Sequence, residues 1–162
     1  MSADLPYRPC AGVMLVNREG RVFVGQRMDS TLEAWQMPQG GIDPGEDALQ
    51  AARRELREET GVPADKVELI AAAEGEFRYD LPDEMIGKVW KGKWRGQVQR
   101  WFLFRLLGDD RDVDIRTEHQ EFRAWRWIDV DELPRVVVPF KRDLYEGVLA
   151  AFRPHLGAPP PV

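Results

Sequence analysis

Cysteine is almost absent from this chain, because Cys10 is the single cysteine among 162 residues. One cysteine cannot form an internal disulfide, which fits a reducing compartment, and we expect the cytoplasm. Long apolar runs are also missing: no stretch approaches the roughly 20 apolar residues that a membrane-spanning helix needs. Residues 1–6 contain no apolar run of the kind found in a secretory signal. We therefore expect no membrane partner.

The chain also lacks an excess of positive charge. It has 23 basic and 28 acidic residues, which gives a formal net charge of −5. A nucleic-acid binder that relies on its overall electrostatic field is normally basic. We therefore expect no binding to DNA, and any RNA or nucleotide must be held locally by a few placed cations or by metal ions.

Hydrophobic residues make up 43% of the chain, which is enough for the core of one domain. We expect that domain to span residues 1–156 and to act as a monomer, with residues 157–162 as a disordered proline-rich tail. Patterning predicts two helices and several strands. The helices are predicted at 46–60 and 139–152, and the strands at 8–16, 21–26, 67–79 (one long or two short), 97–107 and 122–128. Strands interrupted by one early helix and closed by another predict an α/β sandwich with a mixed sheet.

Three carboxylates crowd one face of the first predicted helix. Glu55, Glu58 and Glu59 lie at i, i+3 and i+4, where like charges repel one another. Oxygen-rich clusters of this kind suit hard cations such as Mg²⁺ or Mn²⁺. The glycine pair that begins at Gly40, just ahead of the helix, could bring a backbone carbonyl close to such an ion. The alternative is an ordinary solvated helix with surface ion pairs.

Residues 40–62 read GGIDPGEDALQAARRELREETGV. This segment resembles the Nudix box, G-x5-E-x7-R-E-U-x-E-E-x-G-U with U aliphatic, and every defined position matches. The matching residues are Gly40, Glu46, Arg54, Glu55, Leu56, Glu58, Glu59, Gly61 and Val62. The resemblance implies a Nudix hydrolase: an α/β/α sandwich with a mixed sheet that cleaves a nucleoside diphosphate linked to another group. It also implies divalent metal, Mg²⁺ or Mn²⁺, bound by helix carboxylates and a loop carbonyl.

Further segments narrow the resemblance within that family. Residues 35–41 (WQMPQGG), 99–102 (QRWF), 121–127 (EFRAWRW) and 140–143 (FKRD) are similar to bacterial RNA pyrophosphohydrolases and to plant-type dinucleoside tetraphosphate hydrolases. Arg100 stands where the pattern has lysine. The first group implies removal of pyrophosphate from the 5′-triphosphate end of RNA, which promotes RNA decay; the second implies diadenosine tetraphosphate as substrate. A non-catalytic nucleotide-sensing module is a third interpretation, against which the intact carboxylate set argues.

The resemblance also implies roles for single residues. Gly40, Glu55 and Glu59 are the expected metal ligands, and Glu58 is a ligand or a helper. A further glutamate outside the box, Glu121, would bind a second metal or take a proton from water, with Glu118 as its rival. The expected catalytic set is Arg54, Glu55, Glu58, Glu59 and Glu121, in which Arg54 would hold Glu58 in position.

Substrate binding is expected from residues in separate segments, namely Arg8, Arg27, Gln39, Phe140 and Lys141. Arg8 and Arg27 lie at opposite ends of a predicted hairpin, so antiparallel pairing would bring them to the same end of the sheet. Phe140 either stacks on a base or belongs to the apolar stripe of the last helix. The basic and aromatic residues between 88 and 95 indicate either a contact with single-stranded nucleic acid or a surface hairpin.

Overall fold

The computed structural model describes residues 5–30 and 33–156. The strands are β1 (Tyr7–Val16), β2 (Val22–Arg27), β3 (Gln39–Gly41), β4 (Val67–Ala72), β5 (Phe77–Asp80), β6 (Gly96–Leu106) and β7 (Phe122–Ile128). The α-helices are α1 (Ala48–Thr60), α2 (Leu133–Val136) and α3 (Arg142–Leu156). Within these ranges no helix has the length and apolar character needed to cross a membrane. The predicted disordered tail, 157–162, lies outside the described residues.

The strands form one mixed sheet in the order β4-β6-β1-β2-β7, with β3 paired to β1 and β5 paired to β6. The β1–β6 pair is parallel and the other pairs are antiparallel. Helix α1 packs on one face of the sheet through Ala51, Ala52 and Leu56. Helix α3 packs on the other face through Leu144 and Val148. The predicted α/β sandwich with a mixed sheet is therefore confirmed.

Helix α1 begins at Ala48, two residues later than the sequence pattern predicts. Asp47 keeps an extended backbone and accepts a hydrogen bond from the backbone N–H of Gln50, whose side chain bonds back to Asp47 in a capping box. The helix ends at Gly61, which has φ of 73° and donates its N–H to the carbonyl of Arg57. These caps fix where the three glutamates of the helix face lie.

Strands β1 and β2 pair only near their turn, at Val16 and Val22, and then diverge. Residues 36–41 fill the gap between them: Gly25 and Gln36 exchange backbone hydrogen bonds, and Val13 donates its N–H to the carbonyl of Pro38. The predicted hairpin exists, and its far ends share one end of the sheet. Arg8 and Arg27 do not lie on neighbouring strands there, however, because the 36–41 segment intervenes. That insertion carries Gly40 into the sheet beneath α1.

Candidate active site

Arg54 joins the loop before α1 to the carboxylates of the helix. Its guanidinium binds both carboxylate oxygens of Glu46 at 2.7 and 2.9 Å and the carbonyl oxygen of Gly41 at 2.8 Å. It also donates to Glu55 at 2.8 Å and to Glu58 at 3.3 Å. The guanidinium lowers the pKa of Glu46 to about 2, so that carboxylate stays ionised at neutral pH. The predicted contact between Arg54 and Glu58 is present, as one part of a wider network.

Glu55 lies directly against Gly40. A Cβ atom at Gly40 would lie 2.2 Å from the Glu55 carboxyl group, so any side chain at this position would displace that carboxylate. Gly40 pairs with Ala11 in the register between β3 and β1, which holds its backbone in place. The structure thus brings together the loop glycine and the first glutamate that the sequence singles out.

Glu59 is the buried member of the helix set, with 2% of its surface exposed. Burial raises its pKa well above the ordinary value, and the neighbouring Glu55 carboxylate raises it further. Burial also raises the pKa of Glu55. Both shifts favour the protonated form of a carboxyl group, and a cation bound beside the two groups would oppose them.

Glu121 faces this pair from the start of β7. Its backbone carbonyl accepts a hydrogen bond from the N–H of Met28 at 2.8 Å, and its carboxylate lies 4.0 Å from the guanidinium of Arg27. The Glu121 carboxylate contributes to the raised pKa of Glu59. The rival Glu118 is exposed. Among the described residues Glu118 has no hydrogen bond to the cluster.

Arg27 and Lys141 converge on the same region from β2 and from the turn before α3. Arg27 binds both oxygens of Asp29 at 2.7 Å. Lys141 lies with its Nζ 5.2 Å from the centre of the Tyr79 ring. Burial, followed by the charge of Arg27, lowers the pKa of Lys141 to about 8, while the charges of Cys10, Glu59 and Asp29 act in the opposite direction.

Arg8 and Phe140 border this region. A Cβ atom at Gly41 would lie 2.7 Å from the Arg8 guanidinium, so the Arg8 side chain packs directly over that glycine. Phe140 is half-buried and packs on Tyr79 with ring centres 5.6 Å apart. It thus has core contacts and also an accessible part, so both interpretations of Phe140 stay open. Cys10 is fully buried, and burial raises its pKa to about 12.

The sequence pattern missed a group of buried glutamines beside Gln39. Gln97 and Gln99 on β6 are 2% and 1% exposed, and Gln99 donates to the side-chain oxygen of Gln39 at 3.4 Å. The signal was two amides at i and i+2 at the start of a strand that is otherwise apolar. Buried amides of this kind are costly unless they are hydrogen-bonded.

Three cavities of the protein lie away from this cluster. The largest, about 680 Å³, is lined by the turn between β1 and β2 and by the end of α3. The other two are about 460 and 440 Å³. None of the predicted site residues lines any of these three cavities.

Residues 6–148 match the sequence pattern of the NUDIX domain family. An RNA pyrophosphohydrolase from Sphingopyxis alaskensis is 64% identical over 150 residues, which cover 93% of this chain and 95% of that protein. One from Cereibacter sphaeroides is 60% identical over 152 residues, which cover 94% of each chain. The chain belongs to the NUDIX family of hydrolases.

Solved structures show the same fold at lower identity. The Escherichia coli dihydroneopterin triphosphate pyrophosphohydrolase has a TM-score of 0.69 and 22% identity, covering 90% of this chain and 98% of that one. A Caenorhabditis elegans Ap4A hydrolase has a TM-score of 0.63 and 22% identity, covering 93% of this chain and 99% of that one.

Hydrolases of this family generally use divalent metal ions, and the residues present fit such an ion. The Oε2 atom of Glu59 is buried and has no hydrogen-bond partner among the described residues. The raised pKa values of Glu55 and Glu59 are shifts that a bound cation would offset. Within residues 5–30 and 33–156, no three side chains of the metal-binding types form a complete centre, and Arg54 engages Glu55 and Glu58.

Proposed function

We propose that this chain is a pyrophosphohydrolase that removes pyrophosphate from the 5′-triphosphate end of RNA. The observation that carries the proposal is the high identity, over almost the whole chain, to proteins named RNA pyrophosphohydrolase. The segments outside the box that resemble this group support it as well. The single buried thiol fits action in the cytoplasm, where the product would enter RNA decay.

The proposed metal ligands are the carbonyl of Gly40 and the carboxylates of Glu55 and Glu59, with Glu58 as a further ligand or helper. Their oxygen donors suit Mg²⁺ or Mn²⁺. When bound, such an ion neutralises charge on phosphoryl oxygens and makes water a better nucleophile. Arg54 acts as a positioning residue, because its contacts tie the Gly41 carbonyl to the helix carboxylates.

Glu121 is the proposed general base or second carboxylate ligand. It lies close enough to raise the pKa of Glu59, and the N–H of Met28 fixes its backbone. Its carboxylate is partly exposed, at 44%, so a water molecule can reach it. A carboxylate in this position can accept a proton from the attacking water.

Arg8, Arg27 and Lys141 are the proposed phosphate-binding residues. Two of them carry the planar fork that suits phosphate oxygens. The partly accessible Phe140 would stack on a base, which tolerates any base because every base has a π-face. Gln39 would orient a ligand or a phosphate. Diadenosine tetraphosphate presents the same polyphosphate to the same cations and is the competing substrate.

A side-by-side assay tests the proposal. The purified protein, with Mg²⁺ and separately with Mn²⁺, receives a short 5′-triphosphorylated RNA and diadenosine tetraphosphate, and the products are resolved. We expect pyrophosphate and 5′-monophosphorylated RNA as the preferred products. A higher kcat/KM for diadenosine tetraphosphate would assign the dinucleotide activity instead, and no turnover of either substrate would support the nucleotide-sensing module.

Glu59→Gln is expected to lower kcat at least about a hundredfold in that assay, because an amide cannot replace the carboxylate charge that faces the cation. The fold should remain, since the substitution also removes like-charge repulsion against Glu55. Thermal melting checks the fold. Near-normal turnover at saturating metal would remove Glu59 from the metal site.

A further inference from the structure

A continuous chain of side-chain hydrogen bonds runs beneath the substrate region on β6. The indole Nε1–H of Trp101 donates to Oε1 of Gln99 at 2.7 Å. The Nε2 group of Gln99 then donates to Oε1 of Gln97 at 2.7 Å and, more weakly, to Oε1 of Gln39 at 3.4 Å. Trp101 is fully buried, and a Cβ at Gly12 would come within 2.3 Å of its ring, so the absence of a side chain at Gly12 makes room for the indole.

The chemistry of the donor and acceptor groups fixes the direction of these hydrogen bonds. An indole nitrogen can only donate, so the amide oxygen of Gln99 must face it. The amide NH₂ of Gln99 must then face Gln97 and Gln39, both of which turn their oxygens inward to accept. A reversed Gln99 amide would place its NH₂ against the indole N–H and leave buried donors without acceptors.

This series of hydrogen bonds therefore ends in two side-chain NH₂ groups, those of Gln39 and Gln97. Within residues 5–30 and 33–156, the Nε2 groups of Gln39 and Gln97 donate no hydrogen bond. Gln97 is the register partner of Arg8 on β1 and of Tyr79 on β5. Gln39 directly precedes Gly40. The two donors thus lie among the residues proposed to bind phosphate.

We propose that Trp101 and Gln99 are positioning residues that fix the amides of Gln39 and Gln97 with their NH₂ groups toward the phosphates of the substrate. A free glutamine has two amide orientations, and in one of them its oxygen repels a phosphate oxygen. The buried indole selects the other orientation before the substrate arrives, which lowers the cost of binding a polyanion. The proposal rests on the proposed function, because it assumes that a polyphosphate occupies this region.

Kinetics on a short 5′-triphosphorylated RNA test this assignment. Trp101→Phe keeps an aromatic ring but removes the donor, so Gln99 and its neighbours lose their fixed orientation. We expect KM to rise about 3- to 10-fold, the effect of losing ordinary hydrogen bonds, with kcat changed less than about twofold. Gln99→Met, which keeps the length of the side chain and loses the amide, should give the same pattern and provides the test if the tryptophan variant fails to fold.

Phe104→Leu is the matched control. Phe104 is fully buried on the same strand but belongs to the cluster on the α1 face. Its substitution should lower the melting temperature without raising KM. A KM effect of equal size in this control, or an effect of Trp101→Phe on kcat alone, would reduce Trp101 to an ordinary core residue and overturn the proposal.

A binding measurement separates failure of this proposal from failure of the proposed function. In ¹H–¹⁵N spectra, inorganic tripolyphosphate should shift the side-chain amide signals of Gln39 and Gln97 in the wild type and shift them less in Gln99→Met. Such shifts in a protein that does not hydrolyse RNA would keep the positioning role and discard the RNA substrate. Amide signals that do not respond in the wild type would overturn the positioning role even if RNA is hydrolysed.

Discussion

At the scale of single residues, burial separates the three glutamates of α1, which the sequence pattern treats alike. The side chains of Glu55 and Glu58 are 13% and 48% exposed, whereas Glu59 is 2% exposed as a residue. A buried carboxylate oxygen without a hydrogen-bond partner, such as Oε2 of Glu59, is costly unless the group is protonated or faces a cation. Glu59 therefore depends most on a cation, and Glu58 is the residue best able to act as a helper.

Glu121→Gln and Glu118→Gln separate the two candidates outside the box. Glu121 lies beside Arg27 and acts electrostatically on Glu59, whereas Glu118 is exposed. We expect Glu121→Gln to lower kcat at least about a hundredfold, as loss of a general base does, and Glu118→Gln to leave kcat within about twofold. Steady-state kinetics decide the assignment. Small and equal effects would contradict it, and a change confined to KM would give Glu121 a binding role.

Lys141 should impose an alkaline limit on substrate capture. Its pKa falls from an ordinary 10.5 to about 8 in the folded protein, so the free enzyme loses this positive charge as the pH rises through about 8. We expect kcat/KM for the triphosphorylated RNA to fall above that pH. Lys141→Arg keeps the charge and should remove the limit. A pH profile with Mg²⁺ checks this, and an unchanged alkaline limb in the variant would exclude Lys141.

The lowered pKa of Lys141 also makes the stability of the folded protein depend on pH. Between pH 8 and 10.5 the unfolded chain holds the Lys141 proton more tightly than the folded chain does. Stability rises with pH wherever the unfolded state binds more protons. Lys141 therefore opposes folding below about pH 8, which is the cost of holding a cation ready for an anionic substrate.

At the scale of elements, the residues at the two ends of α1 fix the position of its carboxylates relative to the loop that precedes the helix. Gly61 stops the helix with a left-handed backbone, and a Cβ there would lie 2.2 Å from the carbonyl oxygen of Asp114. Gly45, before the helix, is also left-handed, with φ of 86°, but a Cβ there would meet open space. The two glycines share a left-handed backbone but differ in how closely a Cβ atom would approach its neighbours.

Gly61→Ala should therefore destabilise the protein more than Gly45→Ala. The left-handed conformation alone costs an alanine roughly 1–2 kcal/mol, which is the effect expected for Gly45→Ala. The clash with Asp114 should bring Gly61→Ala to about 3 kcal/mol or more. Urea unfolding midpoints measure the difference in stability. Equal midpoints would show that the backbone around Asp114 moves aside to accommodate the added methyl group at no cost.

Local patterns predicted most of the elements, because apolar periodicity and helix formers decide them within a few residues of chain. The strand at 97–107 and the helix ending at Gly61 are examples. The pattern places the start of α1 two residues too early, because Glu46 has helical propensity but its side chain binds Arg54 in the loop before the helix. Asp47, whose side chain can cap a helix, was the signal for the true start.

Contacts between distant segments were harder to predict. The insertion of residues 36–41 between β1 and β2 depends on pairings with both strands, and no local pattern encodes it. The buried amides of Gln97 and Gln99 are hard to predict for a related reason. Their hydrogen bonds to Trp101 and Gln39 depend on how β3 and β6 lie relative to each other in the sheet. The cluster around the Nudix box was predictable because its residues lie within one helix and the loop before it.

At the scale of the whole molecule, a chain with a net charge of −5 gathers cations at one end of its sheet. Arg8 lies near the start of β1, Arg27 ends β2 and Lys141 precedes α3. Only charges close to the substrate act strongly at physiological salt, because the Debye length is about 8 Å. An acidic protein can therefore bind a polyanion if it presents a few cations at the right place.

Arg27→Ala should consequently raise KM for the triphosphorylated RNA about tenfold or more while the melting temperature barely moves. Its pair with Asp29 is partly exposed, at 35% and 66%, and such pairs contribute at most about 1 kcal/mol to stability. Arg116→Ala is the matched control, because Arg116 forms the same kind of short-range pair with Asp114 away from the site. Equal KM values in the two variants would place the phosphates elsewhere, and the basic and aromatic segment at 88–95 would become the better candidate. A response confined to diadenosine tetraphosphate would instead favour the dinucleotide as the substrate that Arg27 recognises.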